Sequence, residues 1–215
     1  MTEQREAYLN GLGDDWFSRN KDDLGKNADS LMSLLKYLKV GPMERILEVG
    51  CANGWRGKGV KAAFGGELYG IDPSAAAINE AGADNVGTYE VGTADKLPYS
   101  TGSMSLVIMS YCMWAIDPRE WLAVVAETDR VLKEGGLLAI IDRFACRPLR
   151  KAYPGRTDVF GYAYDWSKLW LCHPAYSEVS EAMAVYPDTL TIEGTCLLQK
   201  NTFRKIMTAK EVPNG

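Results

Sequence analysis

Two glycines and one aspartate, Gly50, Gly54 and Asp72, have the residue types and spacing of a nucleoside-binding site. A glycine has no Cβ atom, so the backbone can turn sharply there and approach a ligand closely. A carboxylate at the end of the following strand can accept hydrogen bonds from both hydroxyls of a ribose. These three residues therefore predict a ligand that contains adenosine.

The segments around these residues have the pattern of strand, glycine turn, helix and second strand. A short apolar run over residues 46–49 ends at Gly50, and a helical stretch follows to about residue 64. A second run, residues 67–71, ends at Asp72. This order predicts the first βαβ unit of a doubly wound sheet, which binds ligands outside the carboxyl ends of its strands.

The whole chain fits one globular domain, residues 1–215, because its 215 residues are 47% hydrophobic. The net charge of −4 argues against a nucleic-acid partner. The sequence has no apolar run of the ~20 residues that a membrane span needs and no apolar signal core at its start. The five scattered cysteines fit a reducing cytoplasm and predict neither a disulfide framework nor a metal site.

Hydrophobic periodicity predicts helices and strands in alternation along most of the chain. We expect an α/β fold with a Rossmann-like doubly wound sheet of about seven strands. The sheet should be mostly parallel with an antiparallel C-terminal strand, and helices should cover both faces. Near the C-terminus we expect a helix at 175–185, followed by strands at 189–195 and 197–204, after an irregular region at 147–172.

The glycine turn also distinguishes between two cofactor classes. A dinucleotide fold requires a third small residue in G-x-G-x-x-G/A, and this chain has Trp55 in that place. The pattern over residues 48–54, Glu-x-Gly-Cys-Ala-x-Gly, resembles motif I of class I S-adenosylmethionine-dependent methyltransferases, with Ala52 in place of the middle glycine. The resemblance implies a methyl-transferring enzyme with S-adenosylmethionine as its cofactor.

Three further segments extend this resemblance to residues 45–142, the predicted cofactor-binding core. Residues 92–98 are similar to the family's loop that receives the adenine amino group, here on Asp95, and residues 105–108 and 130–136 resemble its fourth strand and the turn before its fifth. The resemblance implies this cofactor-binding set: Glu48, Gly50, Cys51, Ala52, Gly54, Asp72, Pro73, Ala94, Asp95 and Ser110.

Two flanking segments resemble a narrower group, the methyltransferases associated with pseudaminic acid and related nonulosonic acid biosynthesis. These are residues 13–20, GDDWFSRN, and residues 153–158, YPGRTD. The resemblance implies a small-molecule acceptor such as a sugar or nucleotide-sugar intermediate, or another small polar metabolite. We expect residues 1–40 to form a helical lid and residues 147–172 an acceptor loop, in a monomer or homodimer.

The acceptor should lie above the fourth and fifth strands, where Tyr111 follows strand four. Acid–base catalysis is needed only if the acceptor must lose a proton. The candidates for it are Tyr111, which is equally suited to be an aromatic wall, and His173, the single histidine. The candidate acceptor-binding residues are Arg19, Tyr111, Arg143, Tyr153 and Arg156.

An acidic protein with arginines near its acceptor should bind an anion, because guanidinium pairs with carboxylate or phosphate. We therefore expect Arg19 and Arg156 to clamp an anionic acceptor; alternatively, they form structural salt bridges with nearby aspartates.

Two other functions stay open. One is an NAD-type oxidoreductase or epimerase, and the other is a non-catalytic cofactor-binding subunit, which Ala52 and Ser105 would permit.

Overall fold

The described residues build a seven-stranded sheet with a small separate hairpin. The computed structural model describes residues 2–26, 29–185 and 192–201. The strands are β1 Arg45–Val49, β2 Glu67–Asp72, β3 Thr88–Val91, β4 Met104–Ser110, β5 Leu132–Phe144, β6 Leu149–Ala152, β7 Phe160–Ala163, β8 Tyr176–Val185 and β9 Ile192–Lys200.

The order of strands in the sheet is β3-β2-β1-β4-β5-β9-β8. The first five are mutually parallel, and β9 runs antiparallel to both β5 and β8. The predicted fold class is therefore confirmed. All seven residues of β4 are buried, which is the pattern of a strand covered by helices on both faces.

Helices cover both faces of the sheet. They are α1 Glu3–Ala7, α2 Gly13–Asn20, α3 Ser30–Tyr37, α4 Trp55–Phe64, α5 Ala75–Gly82, α6 Trp121–Val131 and α7 Ser167–Leu171, and a π-helical turn, Tyr8–Leu12, joins α1 to α2. On one face, Leu31 and Val60 of α3 and α4 share a buried cluster with Ile46 of β1. On the other face, Val124 of α6 and Trp170 of α7 share a second buried cluster with Leu138 of β5.

The N-terminal helices are fixed over the turn between β2 and α5. Asp14 of α2 accepts hydrogen bonds from Ser74 Oγ at 2.6 Å and from the Ala76 N–H at 3.0 Å. Phe17 packs with Ala52 and Ala77 in a small buried cluster. The carboxylate of Asp14 sits at the amino end of α5, where the helix dipole favours a negative charge.

No helix in the described residues is long and apolar enough to cross a membrane.

The prediction of a helix at 175–185 was wrong, because these residues form β8. They pair with β9 from Tyr176 opposite Lys200 to Val185 opposite Ile192. Pairing with the next strand along the chain outweighs the local helical pattern. The two strands expected at 189–195 and 197–204 are one strand, β9, and residues 186–191 and 202–204 lie outside the described residues.

Half of the region 147–172, which was expected to be irregular, forms strands and a helix. It contains β6 and β7, which pair as an antiparallel hairpin, and then the short helix α7. Gln4 of α1 ties this hairpin to the N-terminal helices. Its amide Nε2 donates to the Phe160 carbonyl at 2.9 Å, and its Oε1 accepts from the Phe160 N–H at 3.1 Å.

Candidate functional site

A cavity of about 740 Å³ lies at the carboxyl ends of the parallel strands, beneath the N-terminal helices. Ten of the predicted site residues line it: Gly50, Cys51, Ala52, Asp72, Pro73, Ala94, Asp95, Ser110, Tyr111 and Arg143. The cavity has two ends: Asp72, at the end of β2, and Asp95, after β3, lie at one end. Tyr111, directly after β4, and Arg143, near the end of β5, lie at the other.

The glycine turn is built from residues in the left-handed region of backbone conformation. Gly50 has a φ of +73°, and a Cβ atom there would lie 2.7 Å from the Ser110 carbonyl oxygen. Gly54 has a φ of +74°, and its Cβ would meet the Tyr89 ring. The glycines are needed mainly because the turn packs tightly against the protein itself. Ala52, at φ +47°, adopts a conformation that glycine takes more easily.

Asp72 connects the glycine turn to the start of α5. Its two carboxylate oxygens each accept one backbone hydrogen bond, from the Ala52 N–H and from the Ser74 N–H, both at 2.9 Å. Burial raises the pKa of Asp72 above its ordinary value. A carboxylate has about four lone-pair sites, so the two oxygens retain acceptor capacity toward the cavity.

Asp95 is held by a residue that the sequence did not point to. Arg5 of α1 forms an ion pair with Asp95 Oδ2 and approaches Glu120 Oε1 at 3.4 Å. The other oxygen, Asp95 Oδ1, is buried and has no hydrogen-bond partner in the described part of the chain. Asp95 therefore presents an unsatisfied acceptor beside a cavity wall that it helps to form.

Arg56 is a second residue that the sequence analysis missed, and it lines the middle of the cavity. Its Nε donates to Asp29 Oδ2 at 3.0 Å, and its Nη1 donates to Ser110 Oγ. The guanidinium lies 4.4 Å from the centre of the Trp55 ring. In the described residues Nη2 makes no hydrogen bond. Arg56 is 7% exposed, so this buried cation keeps donors available for a ligand.

Glu48 lies behind the glycine turn and does not line the cavity. It accepts a hydrogen bond from the Gly57 N–H at 2.9 Å and lies 3.7 Å from Arg56 Nη1. Burial raises the pKa of Glu48 to about 7, although Arg56 acts in the opposite direction. Gly54 is likewise absent from the cavity lining. Both residues support the turn, and neither is positioned to contact the cofactor directly.

The raised pKa of Glu48 predicts a pH-dependent stability. Because the folded-state pKa is higher than the unfolded one, protonated Glu48 favours the folded state, and this contribution is lost as pH rises toward and through 7. We expect the free energy of unfolding of the wild type to fall relative to Glu48→Gln between about pH 5 and pH 8, by at most about 1.4 kcal/mol per pH unit. Urea denaturation of both proteins across this range checks it, and parallel curves would contradict it.

Five residues form the far side of the cavity, which we call the acceptor end: Tyr8, Tyr111, Trp114, Arg143 and Glu193. Tyr111 has a φ of +44°, rare for a non-glycine residue, and its hydroxyl donates to Glu193 Oε2 at 3.2 Å. Burial and the nearby Glu193 raise the pKa of Tyr111. Tyr111 therefore stays protonated near neutral pH and can donate a hydrogen bond, but it is a poor general base.

Besides Glu48 and Gly54, four more of the predicted residues lie away from the cavity lining: Arg19, Tyr153, Arg156 and His173. The His173 Nδ1 accepts a hydrogen bond from the Ala175 N–H in the turn between α7 and β8, which removes His173 from the candidate site. Arg156 pairs with Asp158 on an exposed surface. The expected clamp of Arg19 and Arg156 is therefore not assembled, and the salt-bridge alternative describes Arg156.

Arg19 and Tyr153 nevertheless touch each other next to the acceptor end. Arg19 Nη2 donates to the Tyr153 hydroxyl, which brings the segments 13–20 and 153–158 together. The Tyr153 ring stacks on Trp114 at a centroid distance of 6.3 Å. These two residues thus support the acceptor end from behind Trp114.

Within the described residues, no group of three or more His, Cys, Asp or Glu side chains is arranged to hold a metal ion.

The central part of the chain is similar to known methyltransferases. Residues 46–136 match the family model described as a methyltransferase domain. An uncharacterized methyltransferase of Synechocystis is 31% identical over 110 residues, covering 50% of this chain and 51% of the relative. A malonyl-[acyl-carrier protein] O-methyltransferase of Hahella chejuensis is 33% identical over 111 residues, covering 49% and 39%. The chain thus spans about half or less of the length of these relatives.

Solved structures show the same fold. The crystal structure of an S-adenosylmethionine-dependent methyltransferase from Methanosarcina mazei superposes with a TM-score of 0.63 at 17% identity, over 78% of this chain and 97% of that one. Residues 46–136 therefore match a methyltransferase domain, and the fold is the one that S-adenosylmethionine-dependent methyltransferases share. The predictions of this domain type and of its cofactor are confirmed. The matched residues exclude 13–20 and 153–158, the basis of the narrower resemblance.

Proposed function

We propose that this protein transfers a methyl group from S-adenosylmethionine to a small, polar, negatively charged acceptor. The observation that carries the proposal is one continuous cavity. At one end it has the glycine turn, Asp72 and Asp95, and at the other an exposed arginine, Arg143, above an aromatic wall. A cofactor and a small acceptor can meet in such a cavity without bulk water between them.

The residues at the cofactor end fit the parts of S-adenosylmethionine. Asp72 has acceptor capacity for the ribose hydroxyls, and the unpartnered Asp95 Oδ1 suits the adenine amino group. The Nη2 donors of Arg56 suit the carboxylate of the methionine part. When bound, this cofactor supplies an electrophilic methyl group on a sulfonium.

The chain's own contribution is to position the acceptor and exclude water. Methyl transfer needs the attacking atom held in line and close, and orientation of this kind contributes much of the rate acceleration. The Tyr111 hydroxyl donates its one proton to Glu193, and its oxygen can accept a hydrogen bond from the acceptor. Helix α1 and the π-helical turn after it cover the cavity from above through Arg5 and Tyr8.

Arg56→Met tests the assignment of the methionine carboxylate. The variant removes charge-assisted hydrogen bonds, each worth about 1.5–3 kcal/mol, so the affinity for S-adenosylhomocysteine should fall about tenfold or more. The matched control is the ligand 5′-methylthioadenosine, which lacks the amino-acid part. Its affinity, measured by calorimetry, should change little. An equal loss for both ligands would show that Arg56 acts on the fold of the site and does not contact the carboxylate.

We further propose which class of molecule the acceptor belongs to. It is a sugar or nucleotide-sugar intermediate that carries an acid group. The support is the resemblance of segments 13–20 and 153–158 to the nonulosonic-acid-associated methyltransferases, together with the Arg19–Tyr153 contact that joins these segments. Arg143 takes the place of Arg19 and Arg156 as the residue that binds the anionic group.

Incubation with methyl-labelled S-adenosylmethionine and a metabolite extract, filtered free of macromolecules, tests the proposed function. We expect label in a small product with an acid group, retained on an anion-exchange column run at alkaline pH, where any amino group is neutral, and no product with Asp72→Ala. Transfer only to macromolecules, in a parallel incubation with unfiltered extract, would contradict the small acceptor. Absence of S-adenosylhomocysteine binding would contradict the reaction itself.

The oxidoreductase alternative has little support. Trp55 occupies the place where a dinucleotide site needs a small residue, and it lines the cavity. Short-chain oxidoreductases use a Tyr-x-x-x-Lys pair, and this chain has that spacing at Tyr164 and Lys168. However, Lys168 pairs with Asp165 at 3.0 Å, and neither Tyr164 nor Lys168 lines the cavity.

A further inference from the structure

Two opposite charges stand side by side at the acceptor end. Arg143 on β5 and Glu193 on β9 are direct register partners, and both line the cavity. Yet neither Arg143 nor Glu193 forms a salt bridge of 4.0 Å or less within the described residues. Cross-strand neighbours of opposite charge ordinarily attract each other. Here each has another contact.

Each charge is held by an aromatic residue. The Arg143 guanidinium lies 5.2 Å from the centre of the Trp114 ring, a cation–π contact. Glu193 Oε2 accepts a hydrogen bond from the Tyr111 hydroxyl at 3.2 Å. These contacts keep the cation and the anion apart, and both face the cavity. Each retains hydrogen-bonding capacity, because a guanidinium has five donors and a carboxylate about four acceptor sites.

A third polar group at the acceptor end has no partner. The Tyr8 hydroxyl is buried without a hydrogen bond in the described residues, and Tyr8 lines the cavity. Burying a hydroxyl in this way is costly unless a ligand or water satisfies it. The acceptor end therefore offers one cation, one anion and one free hydroxyl on a mostly aromatic wall.

We propose that the acceptor is a zwitterion, whose carboxylate binds Arg143 and whose ammonium group binds Glu193. The inference rests on the proposed function and deepens it. A purely anionic ligand would meet the repulsion of Glu193, and a purely cationic one that of Arg143. A molecule with both charges pairs each group at once, which makes the two pairings a basis for specificity.

Competing roles of Glu193 can be separated by one substitution. Glu193→Gln keeps an oxygen that can accept the Tyr111 hydrogen bond but removes the negative charge. If Glu193 serves only to hold Tyr111, the variant should behave like the wild type. If Glu193 binds an ammonium group, only ligands that carry this group should bind more weakly. Arg143→Met is the corresponding variant for the carboxylate.

Calorimetry on the protein saturated with S-adenosylhomocysteine tests the proposal. The panel is the twenty standard amino acids, β-alanine, γ-aminobutyrate and muramic acid. The tightest binder is then compared with its des-amino carboxylate and with its decarboxylated amine. We expect the zwitterion to bind at least tenfold more tightly than either. Glu193→Gln should abolish its advantage over the carboxylate, and Arg143→Met its advantage over the amine.

His173→Ala, outside the cavity, is the control variant, and all three variants should retain the circular dichroism spectrum and S-adenosylhomocysteine affinity of the wild type. Failure of the wild type to bind S-adenosylhomocysteine would overturn the proposed function. Normal binding of S-adenosylhomocysteine with no bound member of the panel would overturn the zwitterion proposal alone. So would a des-amino carboxylate that binds as tightly as the zwitterion, or an unchanged preference in Glu193→Gln.

Discussion

Asp72→Ala is expected to weaken the binding of S-adenosylhomocysteine at least about a hundredfold. The variant removes two hydrogen bonds from the ribose to a charged acceptor, each worth about 1.5–3 kcal/mol. It also releases the Ala52 N–H, which Asp72 holds at 2.9 Å, and so loosens the glycine turn on which the cofactor rests. The dissociation constant, measured by isothermal titration calorimetry, checks this expectation.

Asp84→Ala is the matched control for this prediction. Asp84 is an aspartate that pairs with Lys58 at 2.9 Å and does not line the cavity. It should leave the affinity unchanged, whereas Asp72→Ala should retain a cooperative thermal transition but bind poorly. If Asp72→Ala kept the wild-type affinity, the ribose would have to bind elsewhere.

The second large effect is expected for Gly50→Ala, which should abolish cofactor binding and destabilise the fold. A non-glycine residue at positive φ costs roughly 1–2 kcal/mol. The added Cβ would also lie 2.7 Å from the Ser110 carbonyl oxygen and 2.8 Å from Cys112 Cβ. Such overpacking typically costs a further 1–3 kcal/mol or so, and relieving it moves the end of β4 relative to β1.

Gly102→Ala separates the two costs, because Gly102 has a similar φ of +63° with nothing within 4 Å of its added Cβ. The control should lose only the conformational part, about 1–2 kcal/mol, and should keep its cofactor affinity. Chemical denaturation gives both free energies of unfolding. Equal losses in the two variants would mean that close packing at Gly50 is unimportant.

The cofactor end was predictable because its signals are local. A strand that ends in Gly50, a helix after Gly54 and a second strand that ends in Asp72 can each be read within a short window of sequence. The acidic Asp95 could be located from the loop that contains it. In contrast, Arg5 is separated from Asp95 by ninety positions, and nothing near Arg5 in the sequence indicates their ion pair.

The wrong predictions concern a strand whose partner strand decides its structure and side chains whose neighbours decide their role. Residues 176–185 form β8 because β9 pairs with them, although their apolar spacing is also compatible with a helix. Arg156 looked like an anion clamp, but its neighbour Asp158 neutralises it. Arg56 did carry a signal that was overlooked. It lies in the first turn of α4, where the helix dipole disfavours a cation, and such a position suggests a specific role.

Calorimetric titration of the wild type with S-adenosylhomocysteine, and separately with NAD⁺, tests the central claim most directly. We predict saturable one-to-one binding of S-adenosylhomocysteine and no detectable heat of binding for NAD⁺, because Trp55 occupies the place of the third small residue that a dinucleotide fold requires. Binding of NAD⁺ with no binding of S-adenosylhomocysteine would contradict the assignment of this cavity as a methyltransferase site.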